Sequence, residues 1–101
     1  MCAQPATAAT TRIVSTGQVD LHVTEYGESP EPLILLHGIG SDFSSWWPVV
    51  DRLAAHFRLI VPDQRGHGRS QKPDSGYLVP DYARDLDGLI AAYGLDRPKI
   101  L

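Results

Sequence analysis

Apolar and polar positions alternate first and then cease to alternate as the chain proceeds. Within residues 12–25 two stretches of strand-forming residues flank Gly17, and Val19, Leu21 and Val23 alternate with Asp20, His22 and Thr24. That period of two predicts a hairpin with one face buried and His22 turned to solvent. A turn-rich break at residues 27–32 precedes Leu33-Ile34-Leu35-Leu36, whose lack of alternation predicts a strand buried on both faces, as in a parallel sheet. Between residues 44 and 57 the apolar positions Trp46, Val49, Val50, Leu53, Ala54 and Phe57 fall at helical spacing, with Pro48 where a first turn tolerates it. His56 falls near the end of that helix and is expected in solvent. Residues 58–61 form a second apolar run, closed by Pro62 and a glycine-rich loop through Ser70.

Residues 79–93 predict a longer helix. Val79, Tyr82, Ala83, Leu86, Leu89, Ile90 and Tyr93 share one face, and Asp81, Arg84, Asp85 and Asp87 fall mostly on the other. Gly94 is placed to cap it, and Gly88 inside it costs about 1 kcal/mol relative to alanine. Residues 98–101 begin another apolar strand. The expected fold class is therefore α/β: an N-terminal β-hairpin followed by βαβαβ of a mostly parallel sheet, with right-handed crossovers. Residues 1–11, small and polar, are expected to be a loose arm, and residues 12–101 to form part of one domain.

Composition narrows the function classes. The 101 residues, 43% apolar and 21% charged, are those of a globular chain. A net charge of -3 with scattered basic residues gives no footprint for nucleic acid or an anionic membrane. No apolar run approaches the length of a bilayer span. The single cysteine, Cys2, has no internal partner and fits a reducing cytoplasm. No metal or cofactor is expected, and a small molecule is the expected substrate.

Ligands of parallel sheets bind at the carboxyl ends of the strands, which directs attention to residues 37–42 and 63–70. The first loop, His37-Gly38-Ile39-Gly40-Ser41-Asp42, runs from a buried strand into a helix, a setting that can aim backbone N–H groups at a developing oxyanion. A glycine-rich turn with no ligand fits those residues equally well. The second loop, Asp63-Gln64-Arg65-Gly66-His67-Gly68-Arg69-Ser70, lacks the third glycine of a dinucleotide fingerprint and the closing glycine of a nucleophile elbow, so Ser70 is not read as a nucleophile. The residues favour a surface loop in which Asp63 and Arg65 hydrogen-bond neighbouring backbone.

Together, the segment Leu35-Leu36-His37-Gly38-Ile39-Gly40, the helix carrying Ser45-Trp46, and the segment from Val61 to Ser70 at this spacing resemble the α/β-hydrolase fold family, over a region running from about Val19 to Leu101. The resemblance implies that Ile39 supplies one oxyanion-hole N–H from its backbone, that Gly38 and Gly40 border the substrate, and that His37, Asp63, Arg65, Gly66, His67, Gly68 and Ser70 are structural loop residues. Trp46, an aromatic residue at the start of an amphipathic helix, is a candidate to line the substrate pocket as well as a core position. It also implies that the nucleophile follows the strand begun at Lys99, with the acid and the catalytic histidine later still, so the chain is expected to be a truncated N-terminal portion that is inactive alone. The parent is then a hydrolase of a small ester, lactone or carbon–carbon bond substrate. The alternatives are a non-catalytic binding protein of the same fold, or an epoxide hydrolase, dehalogenase or haloperoxidase-like relative. The epoxide group usually carries proline where Gly40 stands.

Overall fold

The computed structural model describes residues 3–101, so Cys2 lies outside the described residues. Five strands form one mixed sheet: β1 (Ala9–Ser15), β2 (Asp20–Tyr26), β3 (Pro32–Ile34), β4 (Arg58–Pro62) and β5 (Lys99–Ile100). Their spatial order is β1-β2-β4-β3-β5. The pairs β1–β2 and β2–β4 are antiparallel, and β3 is parallel to both β4 and β5, so β2 alone runs against the other four. A 3-10 turn (Phe43–Trp46) leads into α1 (Trp47–Ala54), and α2 (Val79–Tyr93) connects β4 to β5.

The hairpin begins earlier than its alternating pattern suggested. Ala9, Thr10 and Thr11 pair with Tyr26, Glu25 and Thr24, so the last three residues of the expected loose arm are strand. Two β-branched threonines facing an already extended partner are well suited to such pairing. Further back, the Asp51 carboxylate of α1 accepts the N–H groups of Ala6 and Thr7, at 3.1 and 2.9 Å, fastening the arm to the body of the domain.

One helix covers each face of the sheet. On the α2 side, Val14, Val19, Leu21, Val23, Ile34 and Ile60 pack around Leu89. On the α1 side, Tyr26, Leu33, Leu35, Leu59 and Val61 pack around Val50. The unbroken apolar runs are thereby explained: Ile34 and Ile60 face one layer, and their neighbours Leu33, Leu35, Leu59 and Val61 the other. Full burial of each such side chain contributes about 1.5–3 kcal/mol. Because β2 lies between β1 and β4 and is covered on both faces, all its residues from Leu21 to Tyr26 are buried. His22, expected in solvent, is only 8% exposed. Local alternation shows which residues share a face, but not that the polar face would also be covered.

The helix α2 keeps the predicted bounds, and Gly94 caps it in the left-handed conformation (φ 65°). Its faces differ from the pattern at three places: Asp85 is buried, and Val79 and Ala83 are exposed. Gly88 has a packing reason that helix propensity does not register. A Cβ there would overlap the carbonyl oxygen of Thr16 and lie 2.8 Å from its Cα, so the hairpin turn rests directly on the helix backbone.

A second tie joins the hairpin to α2. Glu25 of β2 receives hydrogen bonds from Tyr93 Oη (2.6 Å) and Arg58 (2.7 Å) and pairs with Arg12 (2.8 Å), while both guanidinium groups lie over the Tyr93 ring. Burial pushes the Glu25 carboxyl up, but the hydrogen bonds from Tyr93 and Arg58 and the two positive charges together hold it below its ordinary value of 4.5.

Two predictions follow from these contacts. Gly88→Ala destabilises the fold by about 1–3 kcal/mol in urea denaturation, although alanine is the better helix former, because the added methyl overpacks against Thr16. A carboxyl depressed in the folded state contributes stability that is full above 4.5 and is lost as pH falls through the folded value. Glu25→Gln therefore flattens the acid limb of the stability–pH curve, measured by thermal unfolding between roughly pH 3 and 7.

Candidate functional site

Adjacent strands β3 and β4 send their chains to opposite faces of the sheet, β3 to α1 and β4 to α2, which opens a crevice at their carboxyl ends. Beyond the last formal strand residue of β3, Leu35 N–H still donates to Ile60 O (3.0 Å) and Leu36 N–H to Leu101 O (2.9 Å), so residues 37–42 leave from a firmly held base. Asp42 ends this loop by accepting the N–H of Ser44 (2.9 Å) and its hydroxyl, which caps the 3-10 turn and holds the Asp42 carboxyl below its ordinary value.

Two imidazoles stitch the loops together, each in the same tautomer. His37 Nε2 accepts the Gln64 N–H (2.9 Å), so its Nδ1 carries the proton and donates to Gly38 O (2.8 Å); Gln64 Nε2 returns a bond to His37 O (2.7 Å). His67 Nε2 accepts the Gly40 N–H (2.9 Å), and its Nδ1–H donates to Arg65 O (2.9 Å). The rings meet edge to face with centroids 5.0 Å apart.

Beneath them lies Asp63, with no exposure to solvent. Its Oδ1 accepts the Phe43 N–H (2.8 Å) at the start of the 3-10 turn, and Oδ2 accepts the Arg69 N–H (3.2 Å) in its own loop. Gly68 is required here: its φ is 52°, and a Cβ would overlap the Asp63 carboxyl carbon. The Ser70 hydroxyl donates to Asp63 O and accepts the His22 N–H (2.8 Å), so it ties loop to β2 and is 3% exposed. The structure corrects the expected surface loop here. Asp63 is fully buried and Arg65 is 4% exposed, because Arg65 forms a bidentate pair with Asp85 of α2 (2.6 and 2.7 Å) and also donates to Gly76 O (2.6 Å). The Asp85 hydrogen bonds, working against burial, hold the Arg65 guanidinium above its ordinary value. Gly66, with φ 78°, leaves room for the Tyr77 ring.

At the top of the crevice Ile39 is 92% exposed. Its neighbours' N–H groups are engaged, Gly40's by His67 and Ser41's by Gly38 O (3.2 Å), whereas those of Gly38 and Ile39 have no acceptor among the described residues. Ile39, Gln64, His67, Tyr77, Val79 and Tyr82 line an open cleft of about 220 Å³ beside them. Trp46, expected at the substrate, does not line that cleft. It packs against the apolar layer under α1. The helical period had placed Trp46 among the core positions, and that is where its ring lies.

Three participants escaped the reading of the sequence. Asp85 looked like a solvated helix residue, Gln64 carried no pattern of its own, and His22, whose Nδ1 lies 3.6 Å from Asp63 Oδ2, sat on the supposed solvent face of β2. The only available signal for Asp85 was its i, i+4 spacing to Leu89, which puts both on the face of α2 that meets the sheet.

Comparison with known proteins agrees with this architecture. The family model described as the alpha/beta hydrolase fold matches residues 31–101. Over 79 residues the chain is 44% identical to 2-(acetamidomethylene)succinate hydrolase of Mesorhizobium japonicum, covering 78% of this chain and 28% of that protein. Among solved structures it superposes on the epoxide hydrolase CorEH with a TM-score of 0.85 at 32% identity, covering 92% of this chain and 32% of that one. The haloalkane dehalogenase DatA of Agrobacterium tumefaciens gives 0.83 at 30% identity, covering 92% and 32%. The chain thus spans less than a third of the length of these relatives. No helix among the described residues is long and apolar enough to cross a membrane. With the crossed loops at the ends of β3 and β4 and the family match over most of its length, the chain belongs to the α/β-hydrolase fold family.

Proposed function

We propose that this segment forms the oxyanion-hole side of a hydrolase active site whose nucleophile, acid and histidine base are carried by sequence following Leu101. The observation that carries the proposal is the Ile39 N–H, which has no acceptor among the described residues in a loop where the next two amides are engaged. A fixed, unpaired N–H at the carboxyl end of a parallel strand is suited to stabilise the charge that develops on a carbonyl oxygen when a nucleophile attacks. The second N–H would come from the residue after that nucleophile, in an elbow following β5. Residues 9–101 would then be one part of a larger domain in a cytoplasmic protein acting on a small, weakly charged molecule.

Ester, lactone or carbon–carbon cleavage next to a carbonyl is the favoured chemistry. The 44%-identical relative is named for a substrate with an acetamido group, a centre of the kind an oxyanion hole serves. Gly40 supports the same choice against epoxide opening. Its φ of 82° is closed to proline, which is locked near about −65°, so this loop has a different turn from a proline-bearing one. The resemblance to an epoxide hydrolase and a dehalogenase in backbone shape is the observation that keeps those chemistries as the second reading.

In the full-length protein, Ile39→Pro removes the N–H and lowers kcat for its carbonyl substrate by about 10²–10³-fold with little change in KM. A kcat within twofold of the parent's, in a variant that folds, would sink the assignment. The 101-residue chain alone is expected to hydrolyse p-nitrophenyl acetate no faster than background. Turnover that is abolished by substituting one of its own residues would show that the chain already holds a nucleophile.

A further inference from the structure

We propose that His67 is a positioning residue for the oxyanion loop, acting through the Gly40 amide on the N–H of Ile39; the proposal rests on the reading of Ile39 given above. An N–H group lies in the peptide plane before its residue, and the plane after that residue decides whether the backbone carrying it stays in place. The plane between Gly38 and Ile39, which contains the Ile39 N–H itself, is held by its carbonyl: Gly38 O accepts from His37 Nδ1 (2.8 Å) and from the Ser41 N–H (3.2 Å), which turns the trans N–H to the opposite side. The plane between Ile39 and Gly40 is held at its other end, where the Gly40 N–H donates to His67 Nε2 (2.9 Å).

Nothing else among the described residues holds that second plane. Gly40 lacks a side chain, a Cβ there would meet no atom within 4 Å, and Ile39 is 92% exposed, so neither residue resists rotation by packing. A glycine at φ 82° next to an exposed residue can undergo a peptide flip at low steric cost. The imidazole acceptor prevents it.

His67 is itself fixed from α2. The Arg65–Asp85 pair anchors Arg65, whose carbonyl accepts the His67 Nδ1–H (2.9 Å). That bond selects the tautomer in which Nε2 keeps its lone pair. The edge-to-face contact with the His37 ring limits rotation about the side chain. The buried ion pair is thus linked by two hydrogen bonds, Arg65 O to His67 and His67 to Gly40, to the amide beside the proposed oxyanion site.

Two variants of the full-length protein separate positioning from bulk. His67→Phe keeps a ring of similar shape without an acceptor, and His67→Gln places a side-chain oxygen within reach of the Gly40 N–H. The expected result is a kcat about tenfold or more lower in His67→Phe, with KM within about twofold, and recovery to within about threefold of the parent in His67→Gln. Equal losses in both variants, or a His67→Phe kcat within twofold of the parent, would overturn the proposal.

Amide exchange supplies a readout independent of activity and of how the variants fold. In the parent the Gly40 amide is protected against exchange, and ¹⁵N spectra show His67 Nε2 as the unprotonated nitrogen. A Gly40 amide exchanging at the rate of an open chain would overturn the proposal. Ile39→Pro distinguishes its failure from that of the underlying reading. If Ile39→Pro abolishes turnover and His67→Phe does not, positioning by His67 fails alone; if Ile39→Pro leaves turnover intact, the oxyanion reading fails and His67 loses its object with it.

Discussion

A carboxylate with no access to water must find its compensation inside the protein, and Asp63 finds it on both sides of the crevice. One oxygen takes the amide that begins the path to α1, the other an amide of its own loop. The position is fixed by the sheet: Asp63 follows β4 directly, with its N–H on His22 O (2.9 Å), and parallel pairing sets β3 beside it. Once the carboxylate is there, much else is forced. Gly68 has to lack a Cβ, the 3-10 turn has to begin at Phe43, and Ser70 lies close enough to bridge back to β2.

The same constraint explains which parts of the molecule the sequence disclosed. Strands and helices were legible because each is specified by its own short-range pattern: the unbroken run at Leu33 to Leu36, the helical spacing from Val79 onward, the glycine after Tyr93. The pattern erred where burial depends on what lies opposite. His22 alternates as a solvent residue does, yet the loop through Asp63 and Ser70 folds over its end of β2 and buries it. Asp85 falls in a helix with the polar positions Asp81, Arg84 and Asp87, and its partner Arg65 is twenty residues away in a loop whose path no local pattern predicts.

For the candidate site the division is sharper. Its location was visible, since glycine-rich segments at the ends of two apolar strands mark the crevice of a parallel sheet. Its wiring was not. Whether a histidine donates, accepts or does both depends on which amide stands 2.9 Å from a ring nitrogen, and no spacing of residue types encodes that. Trp46 shows the opposite case: the helical period that placed it among the core positions agrees with its packing against the layer under α1.

The choice of acceptors along the loops has an electrostatic logic. The Gly40 amide beside Ile39 is held by a neutral imidazole nitrogen, while the charge of Asp63 is set deeper, against the amides of Phe43 and Arg69. An acceptor is needed at both places, because an unheld amide leaves the loop free to turn. A carboxylate would hold the Gly40 amide more tightly than an imidazole does, yet its charge would lie against any oxyanion bound at Ile39, and Coulomb repulsion between unit charges is about 4 kcal/mol at 4 Å even at an effective dielectric of 20. A neutral acceptor in a fixed tautomer gives the rigidity without that opposition. On the oxyanion reading of Ile39, histidine at position 67 reconciles two demands that aspartate or glutamate would set against each other.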